Sequence, residues 1–194
     1  MLADNITNEA PIPIIRKRAA PPPVKRRVAL AHDYLSERGG AERVVVSLMN
    51  AFPGAPLFTS VYDRAQYPEF ARRDVRTSAL NHVSLFRARH RAALPLLPAA
   101  YDRLHVDADV VVCSSSGWAH GISTDAPKIV YCHNPARWLY QRYEYAQNRR
   151  RYQLAGKAMD PYLRRWDQRA AAGCELYLAN SAVVAERIKA ALRI

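Results

Sequence analysis

The chain has 194 residues, 24% of them charged, and a net charge of +12 from 29 Lys/Arg against 17 Asp/Glu. That length supports one domain of about 150 to 170 residues plus a tail, enough for a core that needs no staples. Cys113, Cys132 and Cys174 are odd in number and lack CxxC spacing, which argues against a disulfide frame or a zinc site and for reduced structural thiols.

Residues 1–27 carry no apolar period, contain Pro11, Pro13, Pro21, Pro22 and Pro23, and end in Lys25, Arg26 and Arg27. Such a segment buries too little surface to offset its ordering, and it reads as a disordered basic tail. It lacks the apolar stretch of about 7 to 15 residues that a secretory signal needs, and Asp4 and Glu9 argue against a transit peptide, so a cytoplasmic location is expected. The tail holds six Lys/Arg and two acids, which leaves +8 in the globular part from 23 Lys/Arg and 15 acids. A field of that sign favours anionic partners: nucleic acid, anionic lipid headgroups or phosphorylated substrates.

After the tail, Val28 to His32, Leu57 to Val61, Val75 to Ser78, Asp109 to Cys113, Ile129 to Cys132 and Leu176 to Ala179 read as strands. Runs such as VALA and DVVVC are continuous rather than alternating, which marks parallel strands covered on both faces. A helix is expected from about Gly40 to Phe52, with Val45, Leu48, Met49 and Phe52 as its buried stripe and Pro53 and Gly54 as its stop. The window Ala92 to Tyr101 is the most apolar, yet it is too short for a membrane span of about 20 residues and is broken by Pro95 and Pro98. Met159, Tyr162, Leu163, Trp166 and Ala170 predict a second amphipathic helix, with Arg164, Arg165, Asp167 and Gln168 largely off its stripe. A last helix opens near Asn180 or Ser181, either a good N-cap, and buries Val184, Ile188 and Leu192. Strand and helix in this alternation predict a doubly wound α/β fold with a parallel sheet, Rossmann-like in type.

Ligands of such sheets bind outside the carboxyl ends of the strands. That rule selects the loops His32 to Ala41, Ser114 to Gly121, His133 to Tyr140, and Asn180 with Ser181. Gly39 and Gly40 open a helix, where free N–H groups and the helix dipole suit a phosphate or carboxylate; the competing reading is a turn that needs positive φ. The string R-G-G-A-E is not GxGxxG and has no acidic ribose partner about 20 positions on, which disfavours a nicotinamide dehydrogenase. Ser116 lacks the first glycine of GxSxG, so a serine nucleophile is disfavoured, and His120 reads as a hydrogen-bonding loop or core group. In YCHNPARWLYQ, Pro135 ends the strand and holds His133 at the sheet edge. There an imidazole can address a sugar hydroxyl or phosphate oxygen, Arg137 can pair with phosphate or carboxylate, and Trp138 and Tyr140 can stack on a sugar face, unless Trp138 belongs to the core and Arg137 is a surface cation. Cys132 and His133 point to opposite faces of a strand and make a poor metal pair; no metal is expected.

Taken together and in order, "VALAHDYLSERGGAERVV", "TSVYD", "VVVCSSSGWAHG", "KIVYCHNPARWLYQ", "PYLRRWDQRAA" and "LYLANSAVVAERI" resemble the N-terminal, acceptor-side domain of a family 4 retaining glycosyltransferase of GT-B fold, from about Val28 to the last residue. The resemblance implies transfer of a hexose such as mannose from a GDP- or UDP-sugar, used as substrate with no further cofactor, to a lipid-linked or polysaccharide acceptor. It matches Gly39 and Gly40 to the loop near the donor diphosphate, His133 to the histidine that contacts the transferred sugar, and Asn180 and Ser181 to the turn before the last helix. Asp33, beside the glycine loop, is a candidate for orienting the acceptor hydroxyl, with an exposed loop carboxylate as the alternative. The family's donor-gripping EX7E motif is missing, since no Glu has another Glu eight positions later, and Ile194 falls near the expected interdomain linker. On that resemblance the C-terminal donor-binding domain is absent, the chain alone has at most residual activity, and a separately encoded donor domain is an expected partner.

Arg87, Arg89, His90 and Arg91 precede ALPLLPAAY, and Arg149, Arg150 and Arg151 follow Tyr143 and Tyr145. Cations beside apolar or aromatic side chains suit an anionic membrane surface, the place of a polyprenyl-linked acceptor, so peripheral association with the cytoplasmic face is expected. Nucleic acid has the same footprint, but no helix-turn-helix, zinc-finger or RRM string supports it.

Overall fold

The computed structural model describes residues 26–141 and 159–194, with the backbone alone for His90 and Arg91. Nearly all of the expected tail, and the cluster of Tyr143, Tyr145 and Arg149 to Arg151, lie outside the described residues. Six strands, β1 (Val28–His32), β2 (Leu57–Thr59), β3 (Val75–Thr77), β4 (Val110–Ser115), β5 (Lys128–Cys132) and β6 (Leu176–Ala179), form one sheet in the order β3-β2-β1-β4-β5-β6. Every pairing is parallel.

The described helices are α1 (Gly40–Ala51), α2 (Ser84–Ala88), α3 (Leu97–Asp102), α4 (Arg137–Tyr140), α5 (Asp160–Ala172) and α6 (Ala182–Leu192), with short 3-10 turns between some of them. The continuous apolar run of β1 explains the two layers. Ala29 and Ala31 pack with Val111, Cys113, Val130 and Cys132 against α3, α5 and α6 on one face. Leu30, on the other, packs with Leu57 against Val45 and Met49 of α1 and against Tyr67 and Phe70. A parallel sheet covered on both sides is the doubly wound arrangement its sequence pattern predicts.

The differences from expectation have local causes. β6 is half open, with Leu176 47% and Leu178 44% exposed, because it is the sheet's last described strand. In α5 the buried set is Leu163, Trp166, Asp167 and Ala171, while Met159 and Tyr162 of the expected stripe are exposed. The buried stripe includes a charged residue because Asp167 Oδ1 lies 3.0 Å from His120 Nε2, a contact between residues 47 positions apart that periodicity does not register. The segment Ala92 to Tyr101 folds as a 3-10 turn running into α3, with Pro98 in the first helical turn, where its missing N–H costs nothing. Arg27, placed in the tail by composition, is tied to the sheet: its side chain bonds Asp107 and Asp109 at 3.0 to 3.1 Å. Among the described residues no helix is long and apolar enough to cross a membrane.

Gly121 is required by space. A Cβ there would lie 2.1 Å from the ring of Trp166, which is held in place by Asp102 at 3.0 Å through its Nε1–H and by an edge contact with Trp118 at 5.1 Å.

Candidate functional site

Strand order reverses between β1 and β4, and these two strands are paired from Val28 with Val110 to His32 with Ser114. The loops that leave their carboxyl ends diverge to opposite faces, opening the crevice where doubly wound sheets bind ligands. β5 adds its own end there, with Ser115 opposite Cys132.

Asp33, the first residue after β1, is buried, and its carboxylate faces inward. It accepts the N–H groups of Ser116 at 2.5 Å, Trp118 at 2.9 Å and Ala119 at 2.8 Å, with the Ser115 hydroxyl at 3.4 Å. The loop after β4 is thus wrapped around one charged group. Asp33 is neither an exposed loop carboxylate nor a group directed at an acceptor: its oxygens are committed to backbone donors. Behind it, the Tyr101 hydroxyl lies 2.7 and 2.6 Å from the carbonyl oxygens of His32 and Asp33.

His133 follows β5, and its backbone N–H donates to the Ser115 carbonyl at 2.9 Å. Its Nε2 is 2.8 Å from the Ser114 hydroxyl, and its ring meets Tyr131 edge-on at 5.1 Å. Burial pushes its pKa below the ordinary histidine value, and His32 nearby pushes it the same way. The neutral imidazole is therefore favoured, with Nε2 engaged by Ser114. Ser114 joins two imidazoles, because its carbonyl also lies 2.9 Å from Nδ1 of the buried His32.

Beyond His32 stands Glu42 of α1, with Oε1 3.8 Å from His32 Nε2. Burial alone would raise the Glu42 carboxyl, but His32 and the backbone N–H groups of Glu42 and Gly39 outweigh it and hold the group below the usual range. Gly39 is the N-cap of α1, with φ −135°, and no glycine among the described residues has positive φ. The turn reading of the glycine pair is thereby corrected. A Cβ on Gly39 would lie 2.6 Å from Glu42 Oε2, whereas Gly40 has open space around it. His133 and the glycine pair thus belong to one chain of neighbours, His133, Ser114, His32, Glu42, Gly39. Sequence reasoning missed Ser114, His32 and Glu42 as members, although Glu42 sits three residues after the N-cap, where a capping-box acid belongs.

The other expected residues are less convergent. Trp138 is half-buried and packs on Trp118, ring centroids 5.1 Å apart, which supports the core alternative for this residue. Tyr140 is capped by Arg164, whose guanidinium carbon lies 4.7 Å from the ring centroid. Arg137 opens α4 and is exposed. Ala179 is paired with Cys132, so Asn180 and His133 each follow the last registered pair of β5 and β6. The Ser181 hydroxyl accepts the Val184 N–H at 3.3 Å and caps α6, while Asn180 is exposed. Asn134 is held from α6 by Arg187, Nη1 to Oδ1 2.9 Å, which steadies the loop next to His133.

Ser116 lies on the Asp33-wrapped loop and is not on a strand-to-helix elbow. His120 is buried, with Nδ1 3.3 Å from the Ser115 hydroxyl and Nε2 on Asp167. Cys113 and Cys132 are buried and Cys174 partly so; burial pushes the Cys132 thiol up to about 12. Among the described residues no group of three or more His, Cys, Asp or Glu is gathered around a possible metal position.

A six-stranded parallel sheet covered on both faces, with a glycine-led helix at its switch point, defines a Rossmann-like α/β domain. The family model described as Glycosyltransferase Family 4 matches residues 38–194, and the chain belongs to that family. No curated protein and no solved structure matches it.

Proposed function

We propose that the chain is the acceptor-side domain of a retaining hexosyltransferase that uses a GDP- or UDP-sugar and works on a lipid-linked or glycan acceptor. The observation that carries this reading is the placement of His133 at the carboxyl end of β5, its Nε2 fixed by Ser114 and its charged form disfavoured by burial. Held this way, Nδ1–H donates to a hydroxyl of the transferred sugar while Arg137 approaches an anionic group of either substrate. The leaving diphosphate is stabilised by the N–H groups at the start of α1 and by basic side chains. Asn180 and Ser181, which follow β6, are assigned to the rim of the same site.

Val83, Leu85 and Leu96 are exposed at 43%, 51% and 46%, in one stretch with the exposed Arg89 and the half-buried Arg87. Apolar side chains among cations fit the interface of an anionic bilayer, and a lipid-linked acceptor lies there. Flotation with vesicles containing anionic lipid tests this contact; equal failure with and without anionic lipid removes it.

The test of the transfer reading supplies each nucleotide sugar and a polyprenyl-linked glycan to the chain alone and with a donor-binding domain added in trans, in wild type and His133→Ala. The reading expects product with retained anomeric configuration, lost at least a hundredfold in the variant. Equal turnover in the variant, or inversion, contradicts it. A salt-dependent shift with nonspecific DNA and no sugar transfer would favour the nucleic-acid alternative.

A further inference from the structure

The N-terminus of α1 already holds an anion. Glu42 folds back from the third helical position, its carboxylate against the Gly39 backbone and, despite its burial, below the ordinary carboxyl range through His32 and two backbone N–H groups. The second feature is His32. It is 1% exposed, its Nδ1 is committed to the Ser114 carbonyl, and its Nε2 has no hydrogen-bond partner among the described residues while aiming at Glu42 from 3.8 Å. A buried ring nitrogen left without a bond is costly unless another state of the site uses it.

We propose that Glu42 is a displaceable internal anion that occupies the diphosphate seat at the head of α1, and that an incoming diphosphate takes its place beside Gly39, Gly40 and His32. The proposal rests on the reading that this helix end receives a diphosphate. Two negative groups cannot share one helix terminus, so a carboxylate that stays must weaken the ligand, and one that leaves must rotate outward. The open space around Gly40 gives the ligand an approach, and Gly39 lacks the Cβ that would collide with Glu42 Oε2. Leaving of the carboxylate frees His32 Nε2. With Nδ1 still bound to the Ser114 carbonyl, the otherwise unpartnered Nε2 is the ring atom that faces the incoming ligand.

Calorimetric titration of inorganic pyrophosphate into wild type and Glu42→Gln tests the exchange. Gln keeps the shape and an oxygen for the Gly39 N–H but removes the charge, and the expected result is binding at least tenfold tighter in the variant. Equal or weaker binding in a folded variant, with measurable binding in wild type, overturns the proposal and leaves the diphosphate reading standing. No binding in either overturns both. Should the variant fail to fold, the wild type alone decides by NMR: pyrophosphate must move the Glu42 side-chain carboxyl carbon and the Gly39 amide together, and a bound state with the Glu42 resonance unmoved sinks the exchange. GDP and farnesyl diphosphate, titrated the same way, separate a nucleotide from a lipid source of the diphosphate; a gain in Glu42→Gln with neither counts against the proposal.

Discussion

Replacing Asp33 by asparagine separates a structural carboxylate from a catalytic one. Asp33 takes three backbone N–H groups, from Ser116, Trp118 and Ala119, at 2.5 to 2.9 Å. In the Asp33→Asn variant the amide oxygen can serve Trp118 and Ala119, but the side-chain NH2 then faces the Ser116 N–H, donor against donor. A buried N–H left unsatisfied costs about 1–3 kcal/mol, and two surviving bonds that lose the charge on their acceptor forfeit roughly 1 kcal/mol more. The sum is about 3 kcal/mol, and at roughly 2–4 °C per kcal/mol for a domain of this size the Tm falls by about 6–12 °C. Scanning calorimetry or circular-dichroism melts read it directly. A Tm within about 2 °C of wild type, combined with loss of sugar transfer, would refute the reasoning and return Asp33 to the acceptor.

Gly121→Ala drives a methyl into the pinned ring of Trp166 and should cost about 2–3 kcal/mol, with Trp fluorescence altered in the native state; an unchanged melt contradicts the packing. Trp138→Ala should lower stability by about 3 kcal/mol through its contact with Trp118, with the Kd for a nucleotide sugar in the surviving fold unchanged; a Kd effect with normal stability would make it a sugar platform. His133 has its pKa lowered on folding, so the unfolded chain binds the proton more tightly, and stability falls as pH drops from the unfolded value near 6.5 through the folded one. In His133→Gln that part of the slope should vanish in urea melts taken between pH 7 and pH 5. The folded-state Glu42 carboxyl is depressed, so its contribution stands above its unfolded value of about 4.5 and is lost below it, a limb that Glu42→Gln should remove from melts carried into acid.

The parallel sheet was legible because its strands announce themselves twice, by apolar continuity in runs such as VALA and by turn residues after them. The caps were legible too, since Ser181 and Gly39 act on neighbours within a few residues. What escaped depends on long-range partners. Asp33 reads as a loop acid until the N–H groups more than 80 residues later close over it. Asp167 reads as a solvent residue until His120 is placed opposite it, on a buried face of α5 that leaves Met159 and Tyr162 exposed. Trp138 looked like a sugar platform because an aromatic beside Arg137 has that composition; only the position of Trp118 supports the core alternative. Ser114 and His32 stood at the edges of the selected loops, but their link to each other runs across the β1–β4 pairing, which the sequence does not display.

Nitrogen-15 NMR of the histidine side chains, recorded while a GDP- or UDP-sugar and then the bare nucleoside diphosphate are added, tests most directly whether His133 meets the transferred sugar. The account predicts that the intact nucleotide sugar shifts Nδ1 of His133 while Nε2 keeps its Ser114 signature, and that the sugar-free diphosphate leaves Nδ1 where it was. Binding of the nucleotide sugar with the His133 resonances unmoved would contradict it.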